Sequence, residues 1–108
     1  MDAENLKLYI LVRESVPLGL AMTSVAHAVS SACLKWVGEP FFDLWRQWSF
    51  KKVVCKVNDA EFELAKESTG PSCRIVVTES ELNGEETVMV VMPKAELHKM
   101  FKYLKLYR

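Results

Sequence analysis

The stretch that decides the fold is Leu6-Lys7-Leu8-Tyr9-Ile10-Leu11-Val12-Arg13, which continues through Val16-Pro17-Leu18-Gly19 into a long helical pattern. Its apolar run is interrupted only by Lys7 and is rich in residues that favour strands. This pattern predicts a central strand that is buried on both faces and ends at Arg13. Proline stiffens the loop that follows, and glycine permits a close turn before the helix.

The first helix is expected to extend to about Trp36. Apolar residues recur along it at helical spacing and predict one core stripe, formed by Met22, Val25, Ala26, Val29, Ala32, Cys33 and Trp36. His27 lies well off that stripe because each helical residue turns by about 100°. We therefore expect His27 to share a different surface with Thr23, Ser30 and Ser31.

The sequence after the first helix predicts six further helices and strands. Phe41, Leu44, Trp45 and Trp48 have the spacing of a short aromatic helix, and residues 53–57 form a second strand. Asn58 and Glu61 resemble a helix-start cap. Strands over 73–78 and 87–92 are joined across an Asn-Gly turn and should pair antiparallel. Pro93 suits the start of a final helix, whose apolar stripe is Leu97, Met100, Phe101, Leu104 and Tyr107.

The order β-α-α-β-α-β-β-α predicts an α/β protein. We expect a three-layer α/β/α sandwich around a small mixed sheet of four strands, with the last strand antiparallel. The chain has 108 residues and a mass of 12.3 kDa, half of its residues are hydrophobic and 26% are charged. This composition excludes disordered proteins and predicts a single domain over residues 1–108.

Several classes of protein are excluded by what the sequence lacks. The longest uncharged stretch, 15–34, is too polar to span a membrane, and the acidic N-terminus does not resemble a secretory signal. We therefore expect a cytoplasmic chain with Cys33, Cys55 and Cys73 as reduced, mostly buried thiols. No His-x-x-x-His, Cys-x-x-Cys, Gly-x-Gly-x-x-Gly or Gly-Lys-Ser/Thr pattern occurs, so we expect neither a metal nor a cofactor.

Four sequence features together resemble the type 2 peptidyl-tRNA hydrolase superfamily: the element order, the strand end at Arg13, the helix carrying Ala26-His27-Ala28, and the late run 87–93. The resemblance implies that fold, tRNA as a partner and hydrolysis of the ester between peptide and tRNA. The family's enzymes carry an arginine, an Asp-Leu loop, Gly-Lys, Ala-Ala-Gln and His-Ala in this first unit. The matching positions are Arg13, Gly19, His27 and Ala28.

Other positions depart from the family's enzymes. The family lysine falls on Leu20, its glutamine falls on Ser24, and Ser15 stands where an aspartate is expected. The loop before Gly19 is also two residues shorter, and its Val-Pro-Leu-Gly sequence is more similar to an uncharacterised branch of the superfamily. Leucine offers no cation to a phosphate or an oxyanion, which argues against the standard mechanism.

The candidate catalytic residues are Thr23, Ser24 and His27, near the start of the first helix. Ser24 and His27 form an i, i+3 pair in which the imidazole can orient or activate the hydroxyl. The alternative, which we favour, is a capping hydroxyl and a half-buried, hydrogen-bonded histidine. Arg13 and the amides near Gly19 are the candidate ligand-binding groups at the carboxyl edge of the sheet. An internal salt bridge of Arg13 with Glu14, Glu79 or another acid is an equal alternative.

The predicted final helix carries a basic face that includes Lys94, His98, Lys99, Lys102 and Lys105. Lys102 and Lys105 are our candidates for contact with an RNA backbone or a phosphate-containing ligand, although a solvated helix face is the simpler interpretation.

Two hypotheses for function follow. The first is a divergent peptidyl-tRNA hydrolase-like protein that binds tRNA or a phosphate-containing ligand and lacks the standard catalytic set. The second is a noncatalytic interaction module that forms a homodimer through the region of Trp45 and Trp48.

Overall fold

The computed structural model describes residues 3–108 and has an α/β fold built on one mixed sheet. Strand β1 (Lys7–Arg13) is followed by helix α1 (Leu18–Trp36) and the short helix α2 (Pro40–Leu44), which continues into a π-helical turn at Trp45–Ser49. Next come β2 (Lys51–Val57) and α3 (Asp59–Ser68). The chain then forms β3 (Arg74–Glu79), β4 (Glu85–Val91) and β5 (Lys105–Leu106).

The sheet has the strand order β3-β4-β1-β2-β5. The prediction that β1 is central is confirmed, because β1 pairs in parallel with β2 and antiparallel with β4. The predicted antiparallel pairing of the last two long strands, β3 and β4, is also confirmed. Since β1 and β2 end at the same edge, Arg13, Val57, the end of β3 and the start of β4 all lie at this edge, which we call the carboxyl edge.

The predicted count of four strands is wrong, because the final helix does not form. Residues after Pro93 instead contain a 3₁₀ turn at Lys99–Tyr103, and the chain then adds β5 to the open edge of β2. The amide of Tyr107 donates to the carbonyl of Val54 at 2.9 Å. An isolated helix of this length is marginal in water, whereas pairing with β2 satisfies backbone groups of both segments.

Alternate residues of β1 and β4 enter two hydrophobic clusters. The cluster with α1 and α2 contains Ile10, Val88, Trp36 and Phe42. The cluster with α3 contains Leu11, Met89, Phe62 and Phe101, among others. This alternation follows from the two-residue period of a strand and explains why β1 is almost continuously apolar.

The predicted core stripe of α1 is wrong in part. The buried residues are Ala21, Ser24, Ala28, Ala32 and Trp36, whereas Met22 is 67% exposed and Cys33 is exposed. Small side chains three or four residues apart let α1 approach the sheet closely, and the larger apolar residues are displaced to its flanks. The thiols are therefore less uniformly buried than expected, since only Cys55 is fully enclosed.

Candidate functional site

The carboxyl edge brings together the end of β1, the start of α3 and the start of β4. Arg13 donates from Nε and Nη2 to Oδ1 of Asp59, at 3.1 and 2.8 Å, and from Nη1 to the carbonyl of Glu86 at 2.8 Å. Its guanidinium lies 5.8 Å from the centre of the Phe62 ring. The hydrogen bond with Asp59 raises the pKa of Arg13. Arg13 was predicted either to bind a ligand or to form an internal salt bridge. In the structure it forms the internal salt bridge, with Asp59.

A second cation completes this network on α3. Lys66 is hydrogen-bonded to the carboxylate of Glu86 and lies 3.5 Å from that of Glu63. The hydrogen bond with Glu86 raises the pKa of Lys66. Both cations are thus neutralised by nearby acids, so Arg13 and Lys66 have little free positive charge to offer an anionic ligand.

Gly19 lies in the first turn of α1, next to an apolar cavity of about 300 Å³. Neither Gly19 nor Arg13 lines this cavity, whose walls are Val12, Leu18, Ala21, Met22, Val25, Val54 and Tyr107. A Cβ atom at Gly19 would meet nothing within 4 Å. The space beside the helix start therefore suits an apolar group.

The three candidate catalytic residues lie together in a separate cavity of about 300 Å³. Thr23, Ser24 and His27 line it from α1, and Val77, Thr78, Glu79 and Ser80 line it from the end of β3. We call this space the hydroxyl cavity. The favoured prediction of a half-buried His27 is wrong, because its side chain is exposed.

Ser24 has the most unusual environment in the hydroxyl cavity. Its residue is only 2% exposed, and its Oγ has no hydrogen-bond partner among residues 3–108. Thr23 is different, since its Oγ1 donates to the carbonyl of Gly19 at 3.2 Å. No hydrogen bond joins Ser24 to His27, so the imidazole does not activate this hydroxyl in the observed arrangement. A buried hydroxyl without a partner carries a free-energy cost, which a ligand would remove by pairing with it once the side chain turns toward the cavity.

Sequence reasoning missed the residues that complete both sites. Thr78, Glu79 and Ser80 lie beside α1 because β3 is the outermost strand and packs under that helix. This position of β3 depends on the strand order of the sheet. Asp59 was identifiable in principle, because it follows β2, and β2 ends beside Arg13 when the two strands pair in parallel.

The two lysines proposed as ligand contacts lie apart. Lys102 lines a cavity with Lys7, Lys94 and His98, at the edge where β1 begins. Lys105 pairs with Lys56 between β5 and β2 and lines a different cavity with Glu14 and Glu61. The predicted basic face of the final helix is wrong, because no helix is present to align these residues.

The described residues contain neither a metal-binding cluster nor a membrane-spanning helix. Residues 3–108 contain no group of three or more His, Cys, Asp and Glu side chains placed to hold a metal ion. No helix within this range is long and apolar enough to cross a membrane.

Comparison with known proteins gives one match. The family model described as Peptidyl-tRNA hydrolase PTH2 matches residues 6–107, a span that includes β1 to β5 and α1 to α3. A search of the curated proteins finds no match.

Proposed function

The chain belongs to the Peptidyl-tRNA hydrolase PTH2 family, and from this premise we propose that it binds the ester-bearing end of a tRNA-type ligand without hydrolysing it. The hydroxyl cavity receives the ligand. The observation that carries the proposal is that Ser24 lines this cavity while its buried Oγ has no hydrogen-bond partner among residues 3–108, His27 included. A ligand that pairs with the hydroxyl recovers the cost of leaving it unsatisfied.

The charges around the hydroxyl cavity favour a neutral part of the ligand. Glu79 lines the cavity, and Glu81 and Glu85 follow within the same turn region. These carboxylates repel a phosphate but accept hydrogen bonds from ribose hydroxyls or peptide amides. The terminal sugar and the attached acyl group of the ligand are therefore the parts that fit.

The absence of efficient hydrolysis follows from groups that are missing or already engaged. Leu20 has no charge to stabilise an oxyanion, and Arg13 is held by Asp59. Ser24 has no base within hydrogen-bond distance among residues 3–108. Ester hydrolysis through Thr23, Ser24 and His27 would require a rearrangement that creates both a base contact and an oxyanion site.

The proposal also includes the arrangement of the layers and the cellular location of the chain. The hydrophobic clusters with α1 and with α3 use alternate residues of the same strands, which supports the three-layer α/β/α arrangement. The three unpaired thiols support a reducing location such as the cytoplasm, where charged tRNA is available.

The test uses N-acetyl-aminoacyl-tRNA mixed with excess protein, with the ester and the complex followed separately. We expect saturable binding, an ester lifetime equal to that without protein, and about tenfold weaker binding for Ser24→Ala. Ser30→Ala, an exposed serine on the same helix, should bind normally. Hydrolysis that disappears in His27→Ala would establish an enzyme, and absence of binding would reject the ligand class.

A second candidate function is self-association, because Trp48 is 63% exposed and the neighbouring Phe50 is 55% exposed. Trp45 is fully buried, so the homodimer contact is proposed at Trp48 and Phe50 alone. Sedimentation at increasing concentration should reveal a dimer that Trp48→Ser abolishes and that Leu34→Ser, on another exposed apolar residue, leaves intact. A strictly monomeric chain at high concentration contradicts it.

A further inference from the structure

A basic cavity of about 260 Å³ lies at the edge of the sheet where β1 begins, the opposite end of that strand from Arg13. Lys7 reaches it from the sheet, and Lys94, His98 and Lys102 reach it from the segment after β4. Tyr9 and Phe101 supply aromatic walls, and the lining is completed by Asn5, Ala95 and Leu97. We call it the lysine cavity.

The lysines of this cavity are not neutralised in the way that Arg13 and Lys66 are. None of Lys7, Lys94 and Lys102 forms an ion pair with a carboxylate in residues 3–108. Glu4 and Glu96 are the acids nearest in sequence, and neither lines the cavity. Three ammonium groups held near one concave space create a positive potential that attracts an anion.

The histidine adds a directional donor. Nδ1 of His98 accepts a hydrogen bond from the amide of Met100 at 3.1 Å. In the neutral imidazole this contact leaves the proton on Nε2, which is then a donor for a ligand oxygen. The site thus combines three mobile point charges with one donor in a fixed ring.

We propose that the lysine cavity binds a small phosphate monoester. Three cations match the double negative charge of a monoester better than the single charge of a carboxylate. Lysines suit a tetrahedral phosphate because each approaches one of its oxygens as an independent point charge. This site is separate from the hydroxyl cavity and does not depend on the function proposed for it.

The size and walls of the cavity indicate the rest of the ligand. About 260 Å³ is near the lower end of the range for small-molecule pockets, so a sugar phosphate fits better than a complete nucleotide. The rings of Tyr9 and Phe101 lie 5.1 Å apart and offer an apolar surface to the carbon face of a sugar. Burial raises the pKa of Tyr9, which keeps its hydroxyl protonated and able to donate.

The experiment is an amide NMR titration of the full chain with ribose 5-phosphate, inorganic phosphate and unphosphorylated ribose. We expect saturable shifts at Lys7, Tyr9, Phe101 and Lys102 with both phosphates, and none with ribose. Amides around Ser24 and Thr78 should stay unchanged, which separates this result from any outcome at the hydroxyl cavity.

Matched charge-removing variants test the assignment. Lys7→Gln and Lys102→Gln should each weaken ribose 5-phosphate binding by about tenfold, the loss expected for one charge-assisted contact. Lys105→Gln removes the same charge from a different cavity and should bind normally. Equal losses in all three variants, or the absence of saturable shifts, would overturn the proposal. Tighter binding of a short single-stranded RNA through the same residues would overturn the small-ligand assignment.

Discussion

Ser24 illustrates how one residue can oppose stability and serve binding. Its buried Oγ lacks a partner among the described residues, and an unsatisfied buried hydroxyl costs about 1–3 kcal/mol. We expect Ser24→Ala to raise the free energy of unfolding by about 1 kcal/mol more than Ser30→Ala, which makes the same change at an exposed position of α1. Urea denaturation measures both. Equal effects of the two substitutions would show that the hydroxyl is satisfied.

Cys55 predicts how stability changes in alkaline solution. Burial, with a smaller contribution from Glu61, raises the pKa of its thiol from the ordinary 9.0 to about 11. Between these values the unfolded chain loses this proton and the folded chain keeps it, so the unfolded state binds fewer protons and the free energy of unfolding falls as pH rises. The pKa of Tyr9 is also raised, which extends the effect to higher pH.

One such group contributes a slope of at most about 1.4 kcal/mol per pH unit. Urea denaturation at a series of pH values should show this decline above pH 9, and Cys55→Ala should make it shallower although the variant is less stable at neutral pH. Cys33→Ala, which changes an exposed thiol, should retain the wild-type slope. Identical slopes in all three proteins would contradict the assignment to Cys55.

Among the elements, α3 has the most clearly encoded start. Oδ1 of Asn58 accepts from the amide of Glu61 at 2.8 Å, and the Glu61 carboxylate accepts from the amide of Asn58 at 2.9 Å. Loss of such a cap costs about 1 kcal/mol. Asn58→Ala should lower the free energy of unfolding by that amount, and Asn58→Asp should change it little because an accepting oxygen remains. Thermal and urea denaturation would refute this if both variants matched the parent.

Elements defined by local chemistry were predictable, and those defined by competition between distant segments were not. The Asn58 cap, the apolar β1 and the reversing turn at Asn83-Gly84 depend on a few adjacent residues, and all form as expected. The segment after Pro93 has a helical apolar pattern, but the open edge of β2 offers its backbone better partners. A single-sequence pattern contains no information about that edge.

The same distinction applies to the candidate sites. The sequence grouped Thr23, Ser24 and His27 because they lie near the start of α1, and they do line one cavity. It overestimated how deeply the large apolar residues of α1 are buried. Hydrophobicity alone does not reveal that a ridge of Ala and Ser side chains packs closest to the sheet. The lysine cavity was even harder to predict from the sequence. Lys7 and Lys102 line the same cavity only after the segment that follows β4 has folded.

At the scale of the molecule, acidic and basic side chains are unevenly distributed between the two ends of β1. Residues 58–87 contain eight acids and two bases, and several of these acids surround the carboxyl edge. Lys7, Lys94 and Lys102, which pair with no carboxylate in residues 3–108, lie at the opposite edge, whereas Lys56 and Lys105 share a cavity with Glu14 and Glu61. Formal neutrality therefore hides two chemically different ends, and an anionic group should approach the lysine cavity before the hydroxyl cavity.

The two hydrophobic clusters should nevertheless unfold together. Leu11 and Met89 enter the cluster with α3, while their neighbours Ile10 and Val90 enter the cluster with α1. Because β1 and β4 supply residues to both faces, neither cluster can open without disturbing the strands that hold the other. Single domains of this size commonly unfold in one cooperative transition.

Cys55 and the buried tryptophans report these two faces independently. Cys55 lies in the cluster with α3, and Trp36 and Trp45 lie in the cluster with α1. In a Cys33→Ser, Cys73→Ser, Trp48→Phe background, brief iodoacetamide labelling detects exposure of Cys55, and fluorescence detects exposure of the two indoles. We expect the urea midpoints from the two probes to coincide, because the shared strands couple both faces. Labelling of Cys55 at urea concentrations where the fluorescence is still native would show that the α3 face opens separately.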